Sequence, residues 1–314
     1  MAAMRRDAGR HILLLTAIGI ALITPWLGAQ NYPSARSGGN YMYNYFLPPA
    51  GSSTPWWPTW SPDGQWLAFA MHGSLWRVRV TRGTSDGVAE EIAHGEEYLS
   101  SPEWSPDGRY LAYTADNGGR SINLRLLDLQ ARQSTPLTTG DFVNVEPAWS
   151  PDGSRVAYVS TAPNGYFNVF TIKIANGHRS AVMQVTTDHR FGRDRLYFGD
   201  YDVHLSPSWS PDGRELLLIS NRGIPLGSGG VWRVPVEADV MSGEKARLIH
   251  KEETLYRTRP AWSPDGKRFV YASHLGGQFT NLFVLPTSAV ETCRTHQTSV
   301  YTAHHRRSAG RRGW

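Results

Sequence analysis

The sequence predicts an all-β fold, a β-propeller of four-stranded blades. Three observations carry that prediction. Pro-x-Trp-Ser-Pro-Asp-Gly occurs five times, at Pro58–Gly64, Pro102–Gly108, Pro147–Gly153, Pro207–Gly213 and Pro260–Gly266. Short alternating apolar runs follow every copy, the mark of strands. The 314 residues include 31 Gly, 20 Pro and 12 Trp. Many turns and many large aromatics suit short strands better than helices.

The repeat comes first, because it organises everything else. Its tryptophans, Trp60, Trp104, Trp149, Trp209 and Trp262, are spaced 44, 45, 60 and 53 residues apart. Ser-Pro-Asp-Gly reads as a tight turn. Pro fixes φ, Asp can bond its own backbone, and Gly takes the left-handed conformation that returns the chain. A second strand follows each turn: 66–69, 110–113, 156–159, 216–219 and 269–271. A third is expected at 75–80, 123–129, 167–174, 231–236 and 281–285. A fourth is expected at 90–93, 136–138, 183–186 and 246–249. In the fifth unit it falls where the patterning fades.

Four strands in about 45 residues, repeated, make a propeller blade. One blade cannot bury its two apolar faces, so the blades stack. The motif residues are therefore read as structural: Trp60, Asp63, Gly64, Trp104, Asp107, Gly108, Trp149, Asp152, Gly153, Trp209, Asp212, Gly213, Trp262, Asp265 and Gly266. A catalytic residue is needed once, not five times.

The Pro-x-Trp-Ser-Pro-Asp-Gly copies resemble the repeats of TolB-like (WD40-like) propellers of bacterial periplasms. The resemblance covers roughly residues 55–290. Three further stretches, 193–199, 220–223 and 254–260, are similar to the N-terminal propeller of exported amidohydrolase-family proteins. That resemblance implies a six-bladed ring and a metal-dependent hydrolase domain after it. The chain shows five motif-bearing units, so the ring reads as incomplete and the chain as truncated. It holds no His-x-His pair and no His-Glu-x-x-His, so metal chemistry is not marked.

The two ends read differently from the body. Residues 1–29 have a basic start (Arg5, Arg6, Arg10) and an apolar run from Ile12 to Ile23, as in a secretory signal peptide. Residues 30–54 are a lead-in, 55–290 the propeller, and 291–314 an unpatterned basic tail with the single Cys293. One cysteine excludes an internal disulfide. The net charge of +5 sits at the ends, because residues 31–290 net about −1. Nucleic-acid binding by the body is discounted accordingly. A periplasmic or secreted location is expected, with no membrane span after cleavage.

The extra length between the third and fourth copies is a polar segment, 188–206. With loops that share its face it supplies the candidate binding residues: His189, Arg193, Asp194, Arg195, Tyr197, Asp200, Asp202, His204, Arg222 and Arg257. Loops on a rigid scaffold are where propellers place function. Three readings compete for the segment: a protein, peptide or small-molecule site, an Arg–Asp network that merely fixes a long loop, and a metal site of Asp200, Asp202 and His204. The expectation is a non-catalytic scaffold for a protein or peptide, with no cofactor and no metal. The alternative is the propeller of an amidohydrolase whose hydrolase domain is missing.

Overall fold

The computed structural model describes residues 54–190, 200–223, 229–236, 243–251, 259–273, 281–288 and 298–299. The strands form five four-stranded sheets, each one blade. Blade one holds β1 (Trp56–Trp60), β2 (Trp66–Met71), β3 (Ser74–Thr81) and β4 (Thr84–Ala93). Blade two holds β5 (Tyr98–Trp104), β6 (Tyr110–Asp116), β7 (Ile122–Asp128) and β8 (Gln133–Pro136). Blade three holds β9 (Asn144–Trp149), β10 (Arg155–Ser160), β11 (Asn168–Ala175) and β12 (His178–Gln184). Blade four holds β13 (His204–Trp209), β14 (Glu215–Ser220), β15 (Gly230–Pro235) and β16 (Arg247–His250). Blade five holds β17 (Ala261–Trp262), β18 (Arg268–Ser273), β19 (Asn281–Pro286) and β20 (Thr298–Ser299).

Consecutive strands pair antiparallel in every blade, so the expected propeller is the observed fold. The fourth strand of blade five lies within 291–314, where Thr298 and Ser299 pair with Val284 and Phe283. The signal-peptide segment, nearly all of the lead-in and the rest of that tail fall outside the described residues. Among the described residues no helix is long and apolar enough to cross a membrane.

The turn of the motif is built the same way five times. The Gly amide donates to the Ser carbonyl at 2.9 Å in each copy, with Gly φ between 68° and 72°. The Ser hydroxyl donates to the Asp carboxylate at 2.5–2.6 Å. It also accepts the amide five residues on, as in Trp66 N to Ser61 Oγ at 2.9 Å. In Asp63, Asp212 and Asp265 the serine hydroxyl, then the amide two residues on, holds the carboxyl below its usual range. The turn consumes its own polar groups.

Second strands are sandwiched between blades, and alternation decides which neighbour each residue meets. Leu111 and Tyr113 pack toward Ala68 and Ala70 of blade one. Tyr110 and Ala112 pack toward Val156 and Tyr158 of blade three. Ala157 and Val159 meet Leu216 and Leu218, while Leu217 and Ile219 meet Phe269 and Tyr271. The core is thus a series of blade junctions. Each is locked by the motif tryptophan, whose indole N–H donates to a main-chain carbonyl of the preceding blade. Trp104 bonds Thr59 O (3.2 Å), Trp149 Glu103 O (3.2 Å), Trp209 Ala148 O (3.0 Å) and Trp262 Ser208 O (3.0 Å). Trp60 departs from the pattern: it is 55% exposed, against 7% for Trp209.

Candidate functional site

Antiparallel order sends the Ser-Pro-Asp-Gly turns to one face. The connections between blades and the loops joining second to third strands go to the other. His189, Asp202, His204 and Arg222 are on that second face. Asp200 lies on the same face and is exposed. Arg193, Asp194, Arg195, Tyr197 and Arg257 lie outside the described residues.

Hydrogen bonds anchor the ends of the 188–204 segment. Asp202 N donates to His189 O (2.8 Å), and His204 N donates to Phe167 O (3.1 Å). Val203 N donates to the Asn221 side chain (2.8 Å). At the other end Asp188 accepts from Asn168 Nδ2 (2.6 Å) and from Asn164. Tyr201 stacks on Tyr166 with centroids 4.1 Å apart. Arg190 and Asp200 form an exposed ion pair at 3.3 Å. Such a pair adds little stability, so what it offers is a polar surface.

His204 is different. It is 4% exposed, and burial lowers its pKa to about 3, aided by the nearby charges of His189 and Arg222. Thr187 main chain stands close, but neither ring nitrogen makes a hydrogen bond of ordinary geometry. It lines a cavity of about 10 Å³ with Thr187, His189, Ser220 and Arg222. That is room for one water. The imidazole is neutral at physiological pH and shut away from solvent. Arg222, also on the cavity wall, lies over the Trp232 ring (5.6 Å) and donates to Gly243 O (3.2 Å).

The metal reading of Asp200, Asp202 and His204 needs correction. It assumed one strand presenting alternate residues on one side. β13 begins only at His204, so alternation does not extend back to Asp200. Asp200 is exposed against Arg190, whereas Asp202 and His204 are buried. Among the described residues no three His, Cys, Asp or Glu side chains converge as a metal site.

A second polar cluster went unread in the sequence. Glu146 accepts from Ser206 N (2.5 Å) and Ser206 Oγ (3.0 Å). Arg259 donates to Pro147 O (2.8 Å) and stands 3.7 Å from Glu103. Blades two, three, four and five therefore meet here, which places the cluster on the central channel. Burial pushes the Glu146 and Glu103 carboxyls up, opposed by Arg259. Trp57, Ser101, Glu146 and Ser206 precede the motif prolines and share φ near +50°. The innermost strands bulge there, which aims these side chains. Aligning the five copies on tryptophan puts them in one column with Arg259; that variable column was the available signal.

Comparison with known proteins agrees with this architecture. The family model of the TolB beta propeller domain matches residues 50–190 and 79–295. The chain belongs to the TolB β-propeller family. Among solved structures it is similar to TolB from Acinetobacter baumannii, with 20% identity and a TM-score of 0.55, over 75% of this chain and 52% of that one. It is similar too to a protein provisionally assigned as TolB from Agrobacterium tumefaciens, with 23% identity and a TM-score of 0.55, over 74% and 77% of the two chains. A puromycin-hydrolyzing peptidase of Mycobacterium tuberculosis aligns at 16% identity and a TM-score of 0.51, over 80% of this chain and 39% of the peptidase. The chain thus spans about half of the first TolB and two fifths of the peptidase. At these identities the likeness is one of fold. No curated protein matches the chain by sequence.

Proposed function

We propose that this TolB-family propeller is exported to the periplasm by residues 1–29 and acts there as a non-catalytic scaffold. It binds a protein or peptide on the face that carries residues 188–206. The observation that carries the reading is the contrast within that face. Asp188, Asp202 and His204 are committed to the scaffold, while Arg190 and Asp200 stand exposed above them. A rigid base under a polar, aromatic-bearing segment is a binding surface. His204, neutral and enclosed, cannot exchange protons with a bound substrate in solvent, which supports a binding role over catalysis.

Selection of phage-displayed peptides on the whole chain tests this. Peptides that bind the chain should lose about tenfold in affinity on the double variant Arg190→Ala/Asp200→Ala. Unchanged affinity on that variant counts against the site.

A second reading keeps the amidohydrolase resemblance of 193–199, 220–223 and 254–260. The propeller would then present substrate to a hydrolase domain encoded downstream. The nucleotide sequence after the Pro286 codon, read in three frames, separates the two. Further Trp-Ser-Pro-Asp-Gly units and a His-x-His segment in a shifted frame favour the second.

A further inference from the structure

Between the turns of blade one and blade two lies a groove of about 480 Å³. Small-molecule sites span roughly 300–1,000 Å³. Trp66, at the start of β2, and Trp104, at the end of β5, form its apolar wall with Leu129. Trp66 is half-buried, and the Arg77 guanidinium lies over its ring at 4.4 Å. Asp63, Asp107 and Arg109 also line the groove and are exposed.

The repeat alone does not make this groove. The place of Trp66, two residues after the motif glycine, is taken in the later blades by Tyr110, Arg155, Glu215 and Arg268. Blade one alone sets an indole there. At the next junction the β11–β12 turn closes on buried Tyr110: a Cβ on Gly177 would stand 2.7 Å from the Tyr110 hydroxyl. In blade four Glu215 replaces the indole and accepts from Arg233 (2.7 Å).

The turns use one oxygen of each aspartate on the wall. Asp63 Oδ1 accepts from Ser61 Oγ (2.5 Å) and Gln65 N (3.0 Å). Asp107 Oδ1 accepts from Ser105 Oγ (2.5 Å) and Arg109 N (3.0 Å). Arg77 gives Nε and Nη2 to Glu90 (2.9 and 2.8 Å), and Arg109 gives the same two atoms to Asp128 (3.2 and 2.9 Å). Among the described residues Asp63 Oδ2, Asp107 Oδ2 and both Nη1 atoms have no hydrogen-bond partner. Carboxylate acceptors and guanidinium donors thus stand together beside an indole. A cation entering the groove is opposed by Arg77 and Arg109, and an anion by Asp63 and Asp107. A hydroxyl donates one hydrogen bond and accepts two, so it answers both kinds of group without charge. The apolar C–H face of a sugar ring packs on an indole.

We propose that this groove binds a neutral oligosaccharide of about two or three pyranose rings. Trp66 carries a ring, while the two aspartates and two arginines hold its hydroxyls. The groove is on the turn face, opposite residues 188–206, so the inference stands apart from the function above.

Isothermal titration of the full chain with cellotriose, maltotriose and triacetylchitotriose tests it. Trigalacturonate and deacetylated chitotriose are the anionic and cationic counterparts. At least one neutral trisaccharide should bind with a dissociation constant on the order of 1 mM or below, and more tightly than either charged one. Trp66→Ala should weaken that binding by about tenfold. Because Trp66 also packs on the core, the pair Asp107→Asn and Asp212→Asn carries the decision. Each keeps the Oδ1 acceptor of its turn and exchanges Oδ2 for an amide, in matching turns of blades two and four. Asp107→Asn should weaken binding about fivefold, Asp212→Asn should leave it unchanged, and the two should melt alike. Absence of binding by every neutral trisaccharide at about 10 mM overturns the proposal. So does an equal loss in the two Asp→Asn variants, or tighter binding of a charged trisaccharide.

Discussion

Identical residues do different amounts of work in this molecule, according to what stands beside them. Trp209 is buried, with its indole bonded to Ala148 O, and Trp60 is open. Trp209→Phe should cost about 1–2 kcal/mol through the lost hydrogen bond and the space left behind. Trp60→Phe should stay within about 0.5 kcal/mol. Urea denaturation of both variants reads the difference, and equal losses would contradict the junction account. His204 supplies a second residue-scale prediction. Its folded pKa, about 3, lies below the unfolded value near 6.5. Between those values the unfolded chain binds the extra proton, so stability falls as pH falls. The contribution is about 1.4 kcal/mol per pH unit below roughly 6.5. Wild type and His204→Gln, unfolded in urea at pH 7 and pH 5, should differ in slope, with the variant flatter.

At the scale of elements, the second and third strands were legible because both neighbours are blades and the residues are apolar. The fourth strands were less so. The pairs Leu137-Thr138 and Val185-Thr186 suggested strands at 136–138 and 183–186, whereas the paired segments are Gln133–Pro136 and His178–Gln184. Outer strands face water, so backbone pairing rather than apolar content defines them. These pairs are latches beyond the ladder. Val185 N donates to Val169 O (2.8 Å), and Thr186 Oγ1 accepts Val169 N (2.9 Å) while donating to Asn168 Oδ1 (2.9 Å). Leu137, Thr138 and Asn123 repeat the arrangement in blade two. Thr186→Val keeps the shape and strands two buried partners, so it should cost about 1–3 kcal/mol in chemical denaturation. A loss near zero would remove the latch from the account.

At the scale of the whole molecule, the repeat announced the propeller, but single residues around the axis stayed hidden. Glu103, Glu146, Ser206 and Arg259 occur once each, and only the ring brings them together. Arg259 ties blade five to blades two and three. Arg259→Met leaves Glu146 buried without its counter-charge, and breaking such a pair costs on the order of 3 kcal/mol. The folded Glu146 carboxyl already titrates above its unfolded value. Its contribution is present at low pH and lost as pH rises through the folded value, and removing Arg259 shifts that loss further toward alkaline pH. Thermal melts of the variant should therefore fall more steeply than wild type as pH rises from 5. The candidate site was legible only in its placement: the face that carries 188–206 follows from segment length and topology, whereas the burial of His204 does not. That Asp202 and His204 serve the scaffold rather than a metal depends on where β13 begins, which no local pattern marks.

The central claim is that the 188–206 face binds a polypeptide and leaves it intact. Hydrogen exchange of the chain with and without a selected peptide, followed by mass spectrometry of that peptide, tests it most directly. The account predicts new protection in the described parts of 188–206 and at 220–223, with the peptide recovered whole. Protection at the Ser-Pro-Asp-Gly turns instead, or a cleaved peptide, would contradict it.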